Sequence, residues 1–509
     1  MKTINKLALG AAVVTLGAGI FISQSSGSLQ SIKQSAAKAV VNAYGADISP
    51  KAEMRASTDP QRDERAKEEL GYIIGSQAYL YGLPSLRLNE FRYGMSKLAT
   101  LNRDDKNFYD QGERGIKFNE FSYLKALPEA GLKLGITPNV DTLYGSVFFN
   151  LKKEPVIIHV PAILDRYYSL QITDANLSNV AYIGTRATQS KAGNYALVGP
   201  DFSGTLPQGL NPIHMPTNEG FFALRIQVDS EKDQAHINSL QAKFSVLPLS
   251  NFLNPNKPLI LQDFPKPNEE GELSQYRRIV ENMQRNPPAT EELKAAWNNF
   301  QYIGMSITSK FNPDNIDPAI KRGMERAIDS VHDIVAWKVK FRGYKSQSNW
   351  NVDLRGGSYA SDYLARAEGA IQGLVVHDSN EAMYFHTYHD GSKQTLTGDE
   401  SYTLHFEADS LPPVDAFWSI TVYGMDYNLV ANPINRYAIN SHNKDLKYNA
   451  DGSLTIHIQA QQPLAGTANW LPTAQGDQFR LNYRTYMPGA QLRNKDLVEQ
   501  YLPPVARVN

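Results

Sequence analysis

The sequence contains no cysteine. Disulfide bonds, thiolate catalysis, lipid attachment at cysteine and Cys-ligated zinc are therefore excluded, and packing alone must hold the fold. A large domain does not need disulfides, so the absence remains compatible with an oxidising compartment. An excess of one charge is missing as well: 51 Lys+Arg face 52 Asp+Glu, for a formal net charge of -1. That balance offers no footing for nucleic acid or an anionic lipid surface. Also missing are a G-x-S-x-G nucleophile elbow, a G-x-x-x-x-G-K-[ST] phosphate loop, a G-x-G-x-x-G dinucleotide turn and an H-E-x-x-H zinc motif. Nucleotide-driven chemistry has no support from these residues.

What is present describes a globular, aromatic-rich chain. At 509 residues and 42% hydrophobic content, it exceeds one ordinary core, which sets the expectation of two domains plus connecting elements. The 27 Tyr, 20 Phe and 5 Trp favour β-structure and suit both sandwich cores and surfaces for amphipathic or sugar-like ligands. A long apolar run opens the chain, Leu7 to Ile22, behind Lys2 and Lys6 and ahead of the small polar stretch Ser23 to Ser28. This is the pattern of a secretory signal peptide over residues 1–27, and the expected location is periplasmic or secreted. An uncleaved anchor is the other reading, although the run falls short of the roughly 20 residues a membrane span needs.

Leu70, Ile73, Ile74, Ala78 and Tyr81 recur at spacings of three and four, which predicts a helix over about 60–98. From Tyr144 the period becomes two, predicting strands over 144–150, 156–160, 167–173, 195–198 and 221–228. The Pro- and Asn-rich stretch 248–267 reads as a connector, followed by helices over 290–310 and 318–340. A second β-region follows, with strands predicted over 382–388, 402–408, 416–423, 454–459 and 480–487. The expected fold is mainly β with helical connectors, namely two antiparallel jelly-roll-like sandwiches bridged by helices. The corresponding segments are 56–250, a linker with bridging helices over 251–345, and 346–509.

The two β-regions echo each other. Tyr167-Tyr168-Ser169-Leu170-Gln171-Ile172 reads like Phe417-Trp418-Ser419-Ile420-Thr421-Val422, and Phe222-x-Leu224-Arg225 reads like Phe479-x-Leu481 with Arg484 nearby. Two related sandwiches with one strand connectivity are expected.

The stretch Thr137-Pro138-Asn139-x-Asp141-Thr142-Leu143-Tyr144, then Pro161, Arg166 to Gln171, Gly184-Thr185-Arg186-x-Thr188 and Gly199-Pro200, resembles the domain of unknown function 1254. The later stretch Pro412-Pro413, Phe417-Trp418-Ser419-x-Thr421-x-Tyr423, Asn432-Pro433, Arg436-Tyr437, Asp451 to Leu454, Asn469 to Pro472 and Arg484-x-Tyr486-x-Pro488 resembles the domain of unknown function 1214. The resemblance implies an exported protein with two jelly-roll-like domains bridged by helices, and it implies no reaction.

Several residues have chemistry to offer. Asp141, in the polar loop Asn139-Val140-Asp141-Thr142, suits an acid, a base or a cation ligand, and equally an Asx-type turn. Paired with Asp174 it would suit glycoside hydrolysis, provided the two carboxyl groups stand about 5 to 10 Å apart. Strand alternation places Tyr167, Ser169, Gln171 and Thr173 on one polar face, and Arg480, Asn482, Arg484 and Tyr486 on another. Arg166 and Arg186 can grip ligand acid groups or pair with Asp165 and Asp174. Trp418, Tyr423, Tyr437 and Trp470 suit either stacking on a ligand or core packing. The candidate ligand-binding residues are Asn139, Tyr144, Arg166, Tyr167, Arg186, Arg225, Trp418, Tyr423, Arg436, Trp470, Arg484 and Tyr486. His386-x-x-His389 invites a metal, but residues three apart on a strand face opposite ways, so neither a metal nor a cofactor is assigned. The leading expectation is a protein that binds a small polar or sugar-like ligand, without nucleic acid and without membrane contact beyond the signal segment. A hydrolase or lyase acting on such a ligand, and a structural or assembly protein of the cell envelope, are the alternatives.

Overall fold

Helical spacing and strand alternation become elements close to where the sequence places them. The computed structural model describes residues 59–101, 115–131, 137–288 and 290–508, so the proposed signal peptide 1–27 lies outside the described residues. Met1–Ala66 and Lys67–Asn509 are separate units, and the sheets and all helices but the opening of the first belong to the second.

Helix α1 (Pro60–Leu101) runs through Pro84. It is joined by α2 (Ser274–Arg285), α3 (Glu291–Phe300), α4 (Pro318–Lys340) and α5 (Tyr363–Gln372). α4 starts where Asp317 accepts a hydrogen bond from the Ala319 amide at 2.9 Å, with Pro318 in the first turn. α3 stops ten residues short of the expected end: a 3-10 turn follows, and Gly304 (φ 76°) closes it in the left-handed conformation. Tyr81, Leu86, Tyr276, Ile279, Met283, Trp297, Phe300, Met324 and Val331 form the shared helical core.

α1 and α4 cross with almost no space between their backbones. A Cβ on Gly323 would stand 2.0 Å from the Glu68 carbonyl oxygen, and one on Gly71 would stand 2.2 Å from that of Ile320. Gly323→Ala is expected to force the helices apart and cost about 1–3 kcal/mol, read as a lower urea midpoint. An unchanged midpoint would contradict the close crossing.

The first β-region contributes β1 (Ser122–Tyr123), β2 (Thr142–Asn150), β3 (Val156–Val160), β4 (Tyr168–Asp174), β5 (Asn179–Gly184), β6 (Gly193–Val198), β7 (Asn211–His214), β8 (Glu219–Gln227) and β9 (Ser245–Pro248). The second contributes β10 (Tyr344–Lys345), β11 (Asn351–Val352), β12 (Ala382–Thr387), β13 (Tyr402–Phe406), β14 (Trp418–Gly424), β15 (Ala438–Asn440), β16 (Leu454–Gln459), β17 (Trp470–Pro472), β18 (Phe479–Tyr486) and β19 (Val505–Arg507). In the first region the sheets are ordered β1-β2-β8-β4-β5 and β7-β6-β3-β9; in the second, β10-β11-β12-β18-β14-β15 and β17-β16-β13-β19. Apart from the additional strands β1, β10 and β11, the second arrangement repeats the first strand for strand. The repeat extends to the parallel pairs β6·β7 and β16·β17.

Alternation fills each interior. Leu143, Val147, Leu170, Ile172, Phe222 and Leu224 of the larger sheet pack with Val156, Ile158 and Leu197 of the smaller. In the second region Ile420, Val422, Leu481 and Tyr483 pack with Tyr402, Leu404, Ile456 and Ile458. The fold is thus a mixed α/β architecture with several antiparallel sheets. Each smaller sheet also holds a parallel pair, a feature that an all-antiparallel jelly roll lacks. Among the described residues no helix is long and apolar enough to cross a membrane.

Candidate functional site

The repeat has a direct chemical consequence. In the first larger sheet Arg225 of β8 stands between Tyr144 of β2 and Ser169 of β4. In the second, Arg484 of β18 stands between Tyr384 of β12 and Ser419 of β14. The core-facing residues of each strand alternate with these, so the polar sets point away from their own sandwich interiors. Tyr144, Arg225, Tyr384 and Arg484 all line one cavity of about 190 Å³, together with His386 and Arg480.

The walls are tied by reciprocal carboxylates. Asp141, three residues before Tyr144, accepts from Ser419 Oγ at 2.5 Å and from Asn440 Nδ2 at 3.2 Å. Glu381, three residues before Tyr384, accepts from Tyr167 OH at 2.8 Å and from Arg186 Nε at 2.5 Å. Each acid reaches into the opposite β-region, and both are buried. Tyr167, Phe417 and Tyr486 cluster beside them, Phe417 stacked on Tyr486 with ring centres 4.1 Å apart and Tyr167 edge-on to Phe417. The loop at Thr137, which has φ 50°, is held by its amide bond to the Tyr427 carbonyl at 2.9 Å. A β-branched residue in that conformation is strained and persists only under such outside support.

The electrostatics of the cavity are lopsided. Arg342 is neutralised, pairing with Asp353 at 2.5 Å and also bonding Gln372. Burial works to raise the Asp353 carboxyl, but the adjacent Arg342 holds it below its usual range. Arg225, Arg480 and Arg484 have no such partner: among the described residues no carboxylate forms an ion pair with any of them. Arg225 donates to Gln171 Oε1 (2.8 Å) and to the Val375 carbonyl (3.3 Å), and lies 5.0 Å over the Tyr144 ring. Arg484 donates to Thr421 Oγ1 (2.9 Å), Tyr423 OH (2.8 Å) and the Thr137 carbonyl (3.2 Å). Arg480 donates to Tyr388 OH (2.7 Å) and Asn482 (2.9 Å), while its Nε is buried without a partner. Burial pulls the Arg480 guanidinium below its usual value, and Arg484 adds to the shift. All three are at most 5% exposed. Burying a cation without a directly paired carboxylate is costly, and this cavity does so three times; of the three, Arg484 feels a nearby carboxylate, Asp141, which acts on it without pairing.

Neutral groups complete the lining. Burial pushes the Tyr384 phenol up to about 12, so it remains a proton donor. His386 Nε2 lies 2.7 Å from the Asn351 amide nitrogen, which must donate, so the ring proton sits on Nδ1. Burial, with Arg480 and Arg342, holds His386 well below 6.5 and neutral.

Of the residues proposed from sequence, Asn139, Tyr144, Arg225 and Arg484 line the cavity. Tyr423 and Tyr486 do not line it but bond residues that do: Tyr423 OH accepts from Arg484 at 2.8 Å and donates to the Pro138 carbonyl at 2.6 Å, and Asn139 Nδ2 donates to Tyr486 OH at 2.7 Å. Tyr167 and Arg186 serve Glu381. The rest are elsewhere. Arg166 pairs with Asp165 and Asp233. Arg436 bonds the Ala468 and Trp470 carbonyls and pairs with Asp445. Trp470 Nε1 donates to the Gln459 carbonyl, and Trp418 packs in the second core beside Phe406. Asp174 caps its own turn, accepting from the Asn176 and Ser178 amides.

Asp141 and Asp174 are not brought together. Asp141 adjoins the end of the sheet where Thr142 faces Gln227, whereas Asp174 faces Gly220. At ~3.3 Å per strand residue they are about 25 Å apart, too far for a glycosidase pair. Arg342, Asn351, Asp353, Gln372, Tyr384 and His386 are lining residues absent from the sequence-based set of candidates. The alternation Tyr384-x-His386-x-Tyr388 was the signal available for two of them.

His377, beside the cavity wall, is fully buried with neither ring nitrogen bonded. Burial, then Arg225 and Arg186, holds it well below 6.5. The unfolded chain therefore takes up this proton first as pH falls, so the stability linked to His377 is complete above about pH 6.5 and declines below it. His377→Phe is expected to lose about 1 kcal/mol less than the wild type between pH 7.5 and 5.5, since one proton is worth up to ~1.4 kcal/mol per pH unit. Urea midpoints across that range check it, and parallel curves would refute it.

Residues 118–248 match the family described as "Protein of unknown function (DUF1254)" and residues 381–490 the one described as "Protein of unknown function (DUF1214)". No curated protein matches the chain. Among solved structures, the VPA0106 protein from Vibrio parahaemolyticus is similar over 86% of this chain and 100% of its own, with a TM-score of 0.63 at 20% identity, a likeness of fold alone. An uncharacterized protein from Burkholderia cenocepacia aligns over 86% of this chain and 88% of its own at 14% identity, with a TM-score of 0.35 too low to carry an argument. The two matched segments hold β1–β9 and β12–β18, which include every strand of the internal repeat except β19, so the chain carries a DUF1254 match and a DUF1214 match in tandem.

Proposed function

We propose that the protein binds a small organic anion in the cavity between its two β-regions. The observation that carries this reading is the trio Arg225, Arg480 and Arg484, buried on one cavity with no carboxylate partner among the described residues. Size narrows the ligand: an apolar cavity of ~150 Å³ accepts benzene, so this one suits about six to ten heavy atoms. Hydrogen bonds to charged groups contribute about 1.5–3 kcal/mol each, enough for two or three guanidinium contacts to offset desolvation. The sugar-like alternative has less support, because Trp418 and Trp470 are engaged in packing and backbone bonding and the carboxylate pair does not form.

A thermal-shift panel of small carboxylates and their neutral amides tests the reading. Acids are expected to raise the melting temperature by about 2–3 °C at 100-fold excess over Kd, where linkage supplies about 2.7 kcal/mol. Neutral amides of the same shape should not. Equal shifts with acids and amides, or no shift with any acid, would reject the proposal. The Lys2, Lys6 and Leu7–Ile22 pattern further supports export, which N-terminal sequencing of protein recovered from cells would check.

A further inference from the structure

We infer that the ligand is a short dicarboxylate, with one acid group gripped by each β-region; this rests on the anion reading of the cavity. The internal repeat carries the inference. Arg225 beside Tyr144 and Arg484 beside Tyr384 occupy equivalent register positions on equivalent strands. Their supports are equivalent too. Gln171, which receives Arg225 Nη1, and Thr421, which receives Arg484 Nη1, each lie two residues beyond the paired serine on β4 and β14. One cavity is therefore furnished with the same cationic grip from both β-regions, and the second adds Arg480.

A monoanion would neutralise one grip and leave the other buried and unmatched. Two acid groups on one short skeleton satisfy both, and the second contact forms at no further cost in translational freedom. The planar fork of each guanidinium favours carboxylates. The cavity volume limits the skeleton to about four to six carbons.

Calorimetry with succinate, glutarate and adipate against the monomethyl ester of each tests this directly. One diacid is expected to bind on the order of 100-fold more tightly than its half-ester, because truncating one buried charge contact typically weakens binding by that much or more. Arg225→Met should lower diacid affinity to the half-ester level while half-ester affinity changes less than about threefold; that retained binding also reports that the variant is folded. Arg225→Lys, which keeps the charge without the fork, should fall between. Equal affinity for diacid and half-ester, or inorganic phosphate binding more tightly than every diacid, overturns the two-ended ligand while leaving the anion site standing. Failure of every acid to bind removes both.

Discussion

Replacing Arg480 with methionine is expected to make the ligand-free protein more stable while weakening its response to acids. Arg480 is 3% exposed, receives no carboxylate among the described residues and has a buried Nε with no partner. Its bonds to Tyr388 and Asn482 and its place 4.6 Å and 4.8 Å over the Tyr388 and Tyr427 rings only partly offset its desolvation. Apolar replacement of a buried charge is often stabilising by about 1–4 kcal/mol. We take the low end, about 1–2 kcal/mol, because the cation–π contacts and two hydrogen bonds are also lost. For a chain of this size that corresponds to a rise of about 1–2 °C. With the best-binding acid present, the order should reverse. Stability held below its attainable level at a binding site is the familiar trade between stability and function. A variant that melts lower than the wild type without ligand would show that Arg480 is structural.

Glu219→Gln is expected to be among the most damaging single changes outside the cavity. Glu219 is 4% exposed and accepts from Arg92 Nη1 at 3.0 Å and Arg285 Nε at 2.9 Å, tying α1 and α2 to the start of β8. Burial pulls the Arg92 guanidinium below its usual value, and Glu219 works against that shift. Without the carboxylate, two guanidinium groups face each other in a poorly solvated setting, at a cost of about 3–5 kcal/mol. Chemical denaturation measures the loss. Arg92→Met combined with Glu219→Leu should recover most of it, because the one charge then left without its partner, Arg285, is 31% exposed and can turn to water. If Glu219→Gln alone cost under about 1 kcal/mol, the triad would be a surface-like pairing.

These two clusters show what could be read from residues alone. Period-two alternation located the main strands and oriented β4 and β18 correctly, since Leu170 and Ile172 face one interior and Leu481 and Tyr483 the other. The echo around Ser169 and Ser419 foretold the repeat now seen in the strand order. Alternation cannot say what covers a polar face, however. Tyr167, Arg186, Asp141 and Tyr486 were plausible ligand contacts, and each instead bonds a residue of the opposite β-region: Tyr167 and Arg186 bond Glu381, Asp141 bonds Ser419, and Tyr486 bonds Asn139. Arg342, Asn351 and Asp353 belong to two-residue strands and loops, which are too short for any period to register. α2 carries Tyr276, Ile279, Val280 and Met283 at clear helical spacing and was legible, but its Pro- and Asn-rich approach reads as connector.

The central claim is that negative charge from a ligand completes this cavity. A crystal structure of the protein grown with 2-bromosuccinate tests it most directly, because anomalous scattering locates the bromine without bias. The expected result is one peak inside the cavity, with carboxylate oxygens about 2.7–3.1 Å from guanidinium nitrogens of Arg225 and Arg484. Bromine found only on the outer surface, with water alone beside those arginines, would contradict it.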